Sequence, residues 1–283
     1  MFALWSAVSH AGPDLNLYQG FAAAAYPTGV LSDSRASARW WLAPGSQSIL
    51  FRDNHLDLGG RISVSPAFVE LGPRIEFSPV AVFDLTVQGT VIRYISPRFG
   101  TMAYAPDDST LGPVKNDKWR DGEGFTAWGR TLQVSPALKG RVWEIVFFSS
   151  WNISYIQIDR PDGIDSDYLF EPYRGTVIAW TDTAVEHLSA VLWEPLDGED
   201  GPLFRVGGAI RGKWAGVSPD RSLTAGLVVM ARPGTAPAVP TFTGVLLPYL
   251  IDGDRVGKFP FAALIVEWSG VIDDSRPPML PVN

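Results

Sequence analysis

The chain offers few residues that could do chemistry. It has three histidines and no cysteine, which excludes disulfides, thiolate metal sites and cysteine nucleophiles. The first candidate is His187-Leu188-Ser189. A spacing of two on a strand puts a hydroxyl and an imidazole base on one face, as nucleophilic acyl transfer requires. The second is the run Asp159-Arg160-Pro161-Asp162-Gly163-Ile164-Asp165-Ser166-Asp167, whose carboxylates are the hard oxygen ligands that calcium takes. Its spacing fits no standard calcium loop and Arg160 offsets part of its charge, so it reads as a solvated acidic loop. The third is Arg205, Arg211 and Lys213 on one strand face. A row of cations favours anions in a pore. The stronger reading pairs them with Asp57, Glu76, Asp84 or Glu144 from other strands. Glu144 shares a face with Val142, Val146 and Phe148, where a buried ion pair would account for it. No glycine-rich phosphate cradle or His-Glu zinc spacing occurs, so neither a cofactor nor a metal is expected.

The elements that must position these residues alternate with period two. From Leu203 to Ala215, Phe204, Val206, Gly208, Ile210, Gly212 and Trp214 oppose Arg205, Gly207, Ala209, Arg211 and Lys213. Leu56, Leu58, Gly60, Ile62 and Val64 oppose His55, Asp57, Gly59, Arg61 and Ser63 in the same way. Such alternation marks strands. The expected segments are 17–26, 35–43, 55–68, 74–95, 125–138, 141–157, 176–181, 184–193, 203–215, 221–232, 241–251 and 258–270. Several have about the 9–11 residues needed to cross a hydrocarbon layer at a tilt. Connections alternate between long and short, as in an up-and-down antiparallel barrel. Their order puts the long connections on the same side as the termini, the wrong parity for such a barrel, so one segment before Ile95 is miscounted, with the proline-punctuated 66–79 region the foremost suspect.

Composition narrows the class. In 283 residues 46% are hydrophobic, 19% are charged, the net charge is −7, and Trp, Tyr and Phe number 11, 8 and 15. That excludes a disordered chain and argues against a nucleic-acid binder. A soluble barrel or sandwich and a membrane barrel share this alternation, and differ in which face is wet. Aromatics near strand ends predict interfacial girdles at Trp40, Trp41, Trp143, Tyr155, Phe204 and Trp214. The polar faces carry sparse charges of both signs. This predicts a narrow lumen lined by Asp57, Arg61, Arg74, Glu76, Asp84, Glu144, Arg205, Arg211 and Lys213. The last three separate the readings: outside a soluble protein they meet water, inside a membrane barrel they are enclosed.

The stretch from Phe51 to Pro66, continuing through Phe68-Val69-Glu70-Leu71-Gly72-Pro73-Arg74 to Phe83-Asp84-Leu85, resembles bacterial outer-membrane β-barrel proteins of uncharacterised kind. In texture the resemblance extends from about Tyr18 to Val271. It implies an all-β, single up-and-down antiparallel transmembrane β-barrel of about twelve strands over 12–271, placed in the bacterial outer membrane. Its implied partners are outer-membrane lipid, the barrel assembly machinery and small solutes, not nucleic acid. Such barrels usually end on an aromatic residue, whereas here a proline-rich tail, 272–283, follows the last strand. Residues 1–11, with Ser9-x-Ala11 at their end, read as the remainder of a signal peptide. The expected function is non-catalytic, either a narrow channel or a structural surface barrel. One alternative is a soluble lipocalin-like or sandwich protein that binds a hydrophobic or carbohydrate ligand. A second is an outer-membrane lipid hydrolase, because His187 and Ser189 resemble the pair of outer-membrane phospholipases. Ala190-Val191 stand where that family has Asn-Gly.

Overall fold

The computed structural model describes residues 13–25, 28–43, 46, 48, 50, 51, 53–95, 102–104, 125–164, 166–171, 173–195, 203–218, 220–234, 239–251 and 260–273. Five strands open the chain: β1 (Asp14–Ala25), β2 (Thr28–Trp41), β3 (His55–Val64), β4 (Phe68–Val80) and β5 (Phe83–Tyr94). A short β6 (Met102–Tyr104) precedes β7 (Ala127–Val142) and β8 (Ile145–Ile158). Two further short strands, β9 (Tyr168–Glu171) and β10 (Thr176–Ala179), lead into β11 (Thr181–Trp193) and β12 (Leu203–Ala215). The chain continues through β13 (Arg221–Arg232), β14 (Thr241–Leu247), β15 (Tyr249–Ile251) and β16 (Phe261–Asp273).

The long strands pair in chain order, all antiparallel. β12 pairs with β13, and β16 returns to β1, which closes the ring. Because β14 and β15 are parts of one wall strand interrupted at Pro248, the ring has twelve strands. Closure leaves the barrel wall no free edge. Apart from that interrupted strand, the wall strands run from 10 residues in β3 to 16 in β7, long enough to span a hydrocarbon layer.

Two errors in the expected segments offset each other. Residues 74–95 are not one strand: the chain reverses at Ala81-Val82, giving β4 and β5. Residues 176–181 add nothing to the wall, because β10 pairs with β9 in a separate sheet with β6. The parity follows. With β1 starting where β16 ends, the segments 95–126 and 159–180 connect strands at the opposite end, called here the far end. The tight turns Ala81-Val82 and Trp143-Glu144 lie at the near end, beside the segment 42–54.

The apolar faces point outward. On β7, Trp128, Leu132, Val134 and Leu138 are exposed, while Ala127, Gly129 and Thr131 are buried inside. On β3, Leu58, Ile62 and Val64 are exposed, while His55, Asp57 and Ser63 are buried. This reverses the order of a water-soluble barrel, which keeps charge outside. The interior is narrow enough to need glycine in the wall. A Cβ on Gly72 would lie 2.0 Å from the Gly89 carbonyl oxygen, and one on Gly207 2.1 Å from that of Val191.

Candidate functional site: a lumen spanned by a hairpin

The carboxylates and cations on the inner faces of β2 to β5 pair along one strand or with a neighbouring one. Arg39 grips Asp57 through two bonds of 2.7 Å, and Arg61 and Arg35 share Asp33. Arg74 pairs with Glu76, and Lys139 reaches Asp84 at 2.6 Å. At the near end Arg141 and Arg205 converge on Glu194, and further up Arg211 holds Glu186. Buried charge is costly unless paired, and strand alternation delivers the partners because neighbouring strands share an inner face. Between these charges the inner wall of β11 to β14 carries an apolar cluster of Leu192, Ala209, Val228 and Leu247.

The far half of the lumen is occupied by the hairpin β9–β10. Its turn is fixed by the fully buried Glu171, whose carboxylate accepts the backbone N–H of Tyr173 at 2.9 Å and of Arg174 at 2.8 Å. Gly175 sits at φ +62°, the left-handed region that favours glycine. From this turn two adjacent residues reach in opposite directions. The Tyr173 hydroxyl accepts from Arg61 of β3 at 3.0 Å, and the Arg174 carbonyl accepts from Lys213 of β12. In the ring β3 and β12 lie half a circuit apart, so the turn spans the lumen from wall to wall. Tyr94 of β5 adds a third anchor, donating to Glu171 at 2.7 Å. Leu169 and Ile178 pack among Phe68, Ile92, Tyr94 and Ile156. Burial pushes the Tyr173 phenol above its ordinary pKa, so it stays a neutral hydroxyl able to accept from Arg61. Below the turn lies a cavity of about 230 Å³ bordered by Arg174, Glu186, Arg211 and Lys213.

Most of the expected lumen set is enclosed: Asp57, Arg61, Arg74, Glu76, Asp84, Arg205, Arg211 and Lys213 all face inward. Enclosure of the last three runs against the soluble alternative. Their partners differ from those expected, being Glu194, Glu186 and a hairpin carbonyl rather than Asp57, Glu76, Asp84 or Glu144. Glu144 itself is exposed in the near-end turn, accepting from the Trp193 indole. Its neighbours in sequence suggested a strand face because the turn carries no glycine or asparagine. Among the expected girdle residues, Trp143, Tyr155 and Phe204 are exposed on the outside, and Trp40 and Trp214 lie on outward positions. Trp41 does not belong there. It faces the lumen, where its indole donates to Asp14 at 2.7 Å and its ring meets His55. Residues 1–11 and the tail beyond Asp273 lie outside the described residues.

The sequence reading missed Glu171, Tyr173 and Arg174, and that His55 joins the expected lumen residues Asp57 and Glu76 in one group. The ligand atoms of the last three lie within 4.8 Å of one another. Two of these are already claimed by Arg39 and Arg74, so the group reads as an ion-pair network. In the acidic loop Asp159, Asp162 and Asp167 are exposed. Among the described residues they gather no metal-ligating cluster.

His187 and Ser189 face outward, toward the side of the apolar residues. Ser189 Oγ is 2.8 Å from His187 Nε2 and 2.8 Å from Ser149 Oγ on β8. Trp151 stacks on the imidazole at 4.3 Å between ring centroids. Among the described residues no carboxylate or amide holds the other ring nitrogen.

No protein-family profile matches the sequence, and no curated protein is significantly similar to it. Three solved structures align with most of this chain at low similarity. The translocator domain of autotransporter NalP from Neisseria meningitidis aligns over 94% of this chain and 91% of its own, with TM-score 0.38 and 10% identity. CdiB from Acinetobacter baumannii aligns over 91% and 60%, with TM-score 0.33 and 9% identity. Salmonella typhi OmpF, solved in complex with daunomycin, aligns over 93% and 99%, with TM-score 0.29 and 10% identity.

Proposed function

We propose that this chain is a non-catalytic barrel of the bacterial outer membrane that holds its lumen shut with hairpin β9–β10. It would pass small solutes only when that hairpin moves. The placement in a membrane rests on the outward apolar faces, which a water-exposed barrel could not sustain as an ordinary surface. Closure rests on one observation: Tyr173 and Arg174 touch opposite walls. Lipid would be the medium of the exterior, the barrel assembly machinery its route into the membrane, and small solutes the cargo. The location is tested by expressing the protein with a complete signal peptide and comparing boiled and unboiled outer-membrane fractions on a detergent gel. A band there that shifts on boiling is expected. A fully soluble protein without a shift would overturn the reading. Closure is tested by liposome swelling, where the unmodified protein should admit small sugars no faster than empty vesicles.

A second reading rests on the outward cluster. Ser189 donates to Ser149 at 2.8 Å and stands at the same distance from His187 Nε2; turned toward that nitrogen, its hydroxyl would be activated by a base and face acyl chains. Attack on a lipid ester carbonyl would pass the hydroxyl proton to Nε2 and then to the departing alcohol. Water would afterwards release the fatty acid from the acyl-serine. The unmodified protein should then liberate fatty acid from phospholipid vesicles, and Ser189→Ala should abolish it. Absence of release from the unmodified protein ends this reading.

A further inference from the structure

We propose that the cavity below the hairpin turn is a binding site for a small oxyanion, held by Arg174, Arg211 and Lys213. This goes beyond closure, since it rests on the interior of the barrel and holds whether or not the barrel conducts. Three cations border the cavity against the single carboxylate of Glu186. Arg174 is the informative one. It is only 9% exposed, and its Nη1 is 3.3 Å from Glu171 Oε2. Its Nη2 has no hydrogen-bond partner among the described residues. A buried guanidinium N–H without an acceptor is costly; this one is sealed from solvent, and an anion entering the cavity that Arg174 borders would give it an acceptor. The volume of about 230 Å³ compares with about 30 Å³ for one water in the liquid. It accommodates a phosphate- or carboxylate-sized ion with its residual hydration.

An oxyanion matches these donors better than a neutral solute. The planar guanidinium presents its N–H groups as a fork that suits two oxygens at once. Lys213 comes from the β12 wall and already tethers the hairpin through the Arg174 carbonyl. Arg211, on the same strand face, is oriented by Glu186. From β7 and β8, Gln133 and Asn152 add neutral side-chain amides to the border. The site is therefore made jointly by wall and hairpin, and an anion in it would draw the two together.

The test uses the full chain folded in detergent micelles, with folding verified by heat-modifiable migration. Inorganic phosphate and, separately, acetate are titrated at ionic strength matched with chloride. Phosphorus line broadening and the unfolding temperature are followed. Saturable binding of one of these ions with a rise in unfolding temperature is expected, because a ligand that binds only the folded state stabilises it. Lys213→Gln should weaken it about tenfold or more, as loss of a charge-assisted hydrogen bond implies. Asn152→Ala removes a cavity amide without touching the hairpin anchors and should also weaken it. Arg141→Gln, at the near end, should leave it unchanged. A cavity that holds only water would give no shift beyond the chloride control. That result, or undiminished binding by both Lys213→Gln and Asn152→Ala, would overturn the proposal.

Discussion

Leu227 lies at the middle of β13, half-exposed on the outer face, paired in register with Gly208 and Leu246. Replacing it with arginine asks what medium covers that face. Were the medium water, a charge on an exposed strand position would cost no more than about 0.5 kcal/mol. Were it hydrocarbon, arginine at the midplane of a barrel exterior would cost about 2–4 kcal/mol, falling to about 0–1 near the interface. On the same strand and face, Ala231 sits next to the near-end terminus, so Ala231→Arg is the internal control. The folded-to-unfolded ratio should fall roughly thirtyfold to a thousandfold for Leu227→Arg and less than about tenfold for Ala231→Arg. Guanidinium titrations of protein folded into lipid vesicles would read this, with the tryptophans reporting insertion. Two variants that both stay within about 0.5 kcal/mol of the parent would refute the argument that the apolar face meets lipid.

Other outcomes follow from the interior. Tyr173→Phe removes the acceptor of the Arg61 bond while Arg61 keeps Asp33. Losing a charge-assisted bond shifts an equilibrium about tenfold or more, so openings in bilayer recordings should become correspondingly more frequent. Gly207→Ala drives a Cβ to 2.1 Å from a backbone oxygen. Backbone must move to relieve it, so the variant should lose about 1–3 kcal/mol in the vesicle titration, or fail to show the heat-modifiable band. Trp143 holds φ +53° in a two-residue turn although it is not glycine, and is 84% exposed. If the headgroup region compensates that strain, Trp143→Gly should raise stability in detergent micelles but not in vesicles.

The strands were legible because the side-chain period of two is local: Phe204 to Trp214 and Arg205 to Lys213 separate without knowledge of any partner. The inner charges followed from the same alternation. What the alternation lacks is pairing, so Arg205 and Arg211 were expected to reach across the lumen when their acids stand on or beside the adjoining β11. The reversal at Val80-Ala81-Val82-Phe83 is an apolar run with no glycine, asparagine or aspartate, so only Pro79 hinted at it. The hairpin was hidden for the opposite reason. Val177 and Ile178 of β10 are both buried, so both faces look apolar and the segment reads as wall. Trp40 and Trp41 carried a usable signal, since adjacent strand residues face opposite sides and both cannot lie in one girdle.

The most direct test of the closed barrel is single-channel recording of the full chain beside a variant in which residues 168–179 are replaced by a flexible glycine-serine linker of equal length. Both proteins should first show the heat-modifiable band, so that a missing current is not misfolding. Closure by the hairpin predicts a silent baseline for the full chain and a steady conductance for the variant. A full chain that already conducts as steadily and as strongly as the variant would contradict it.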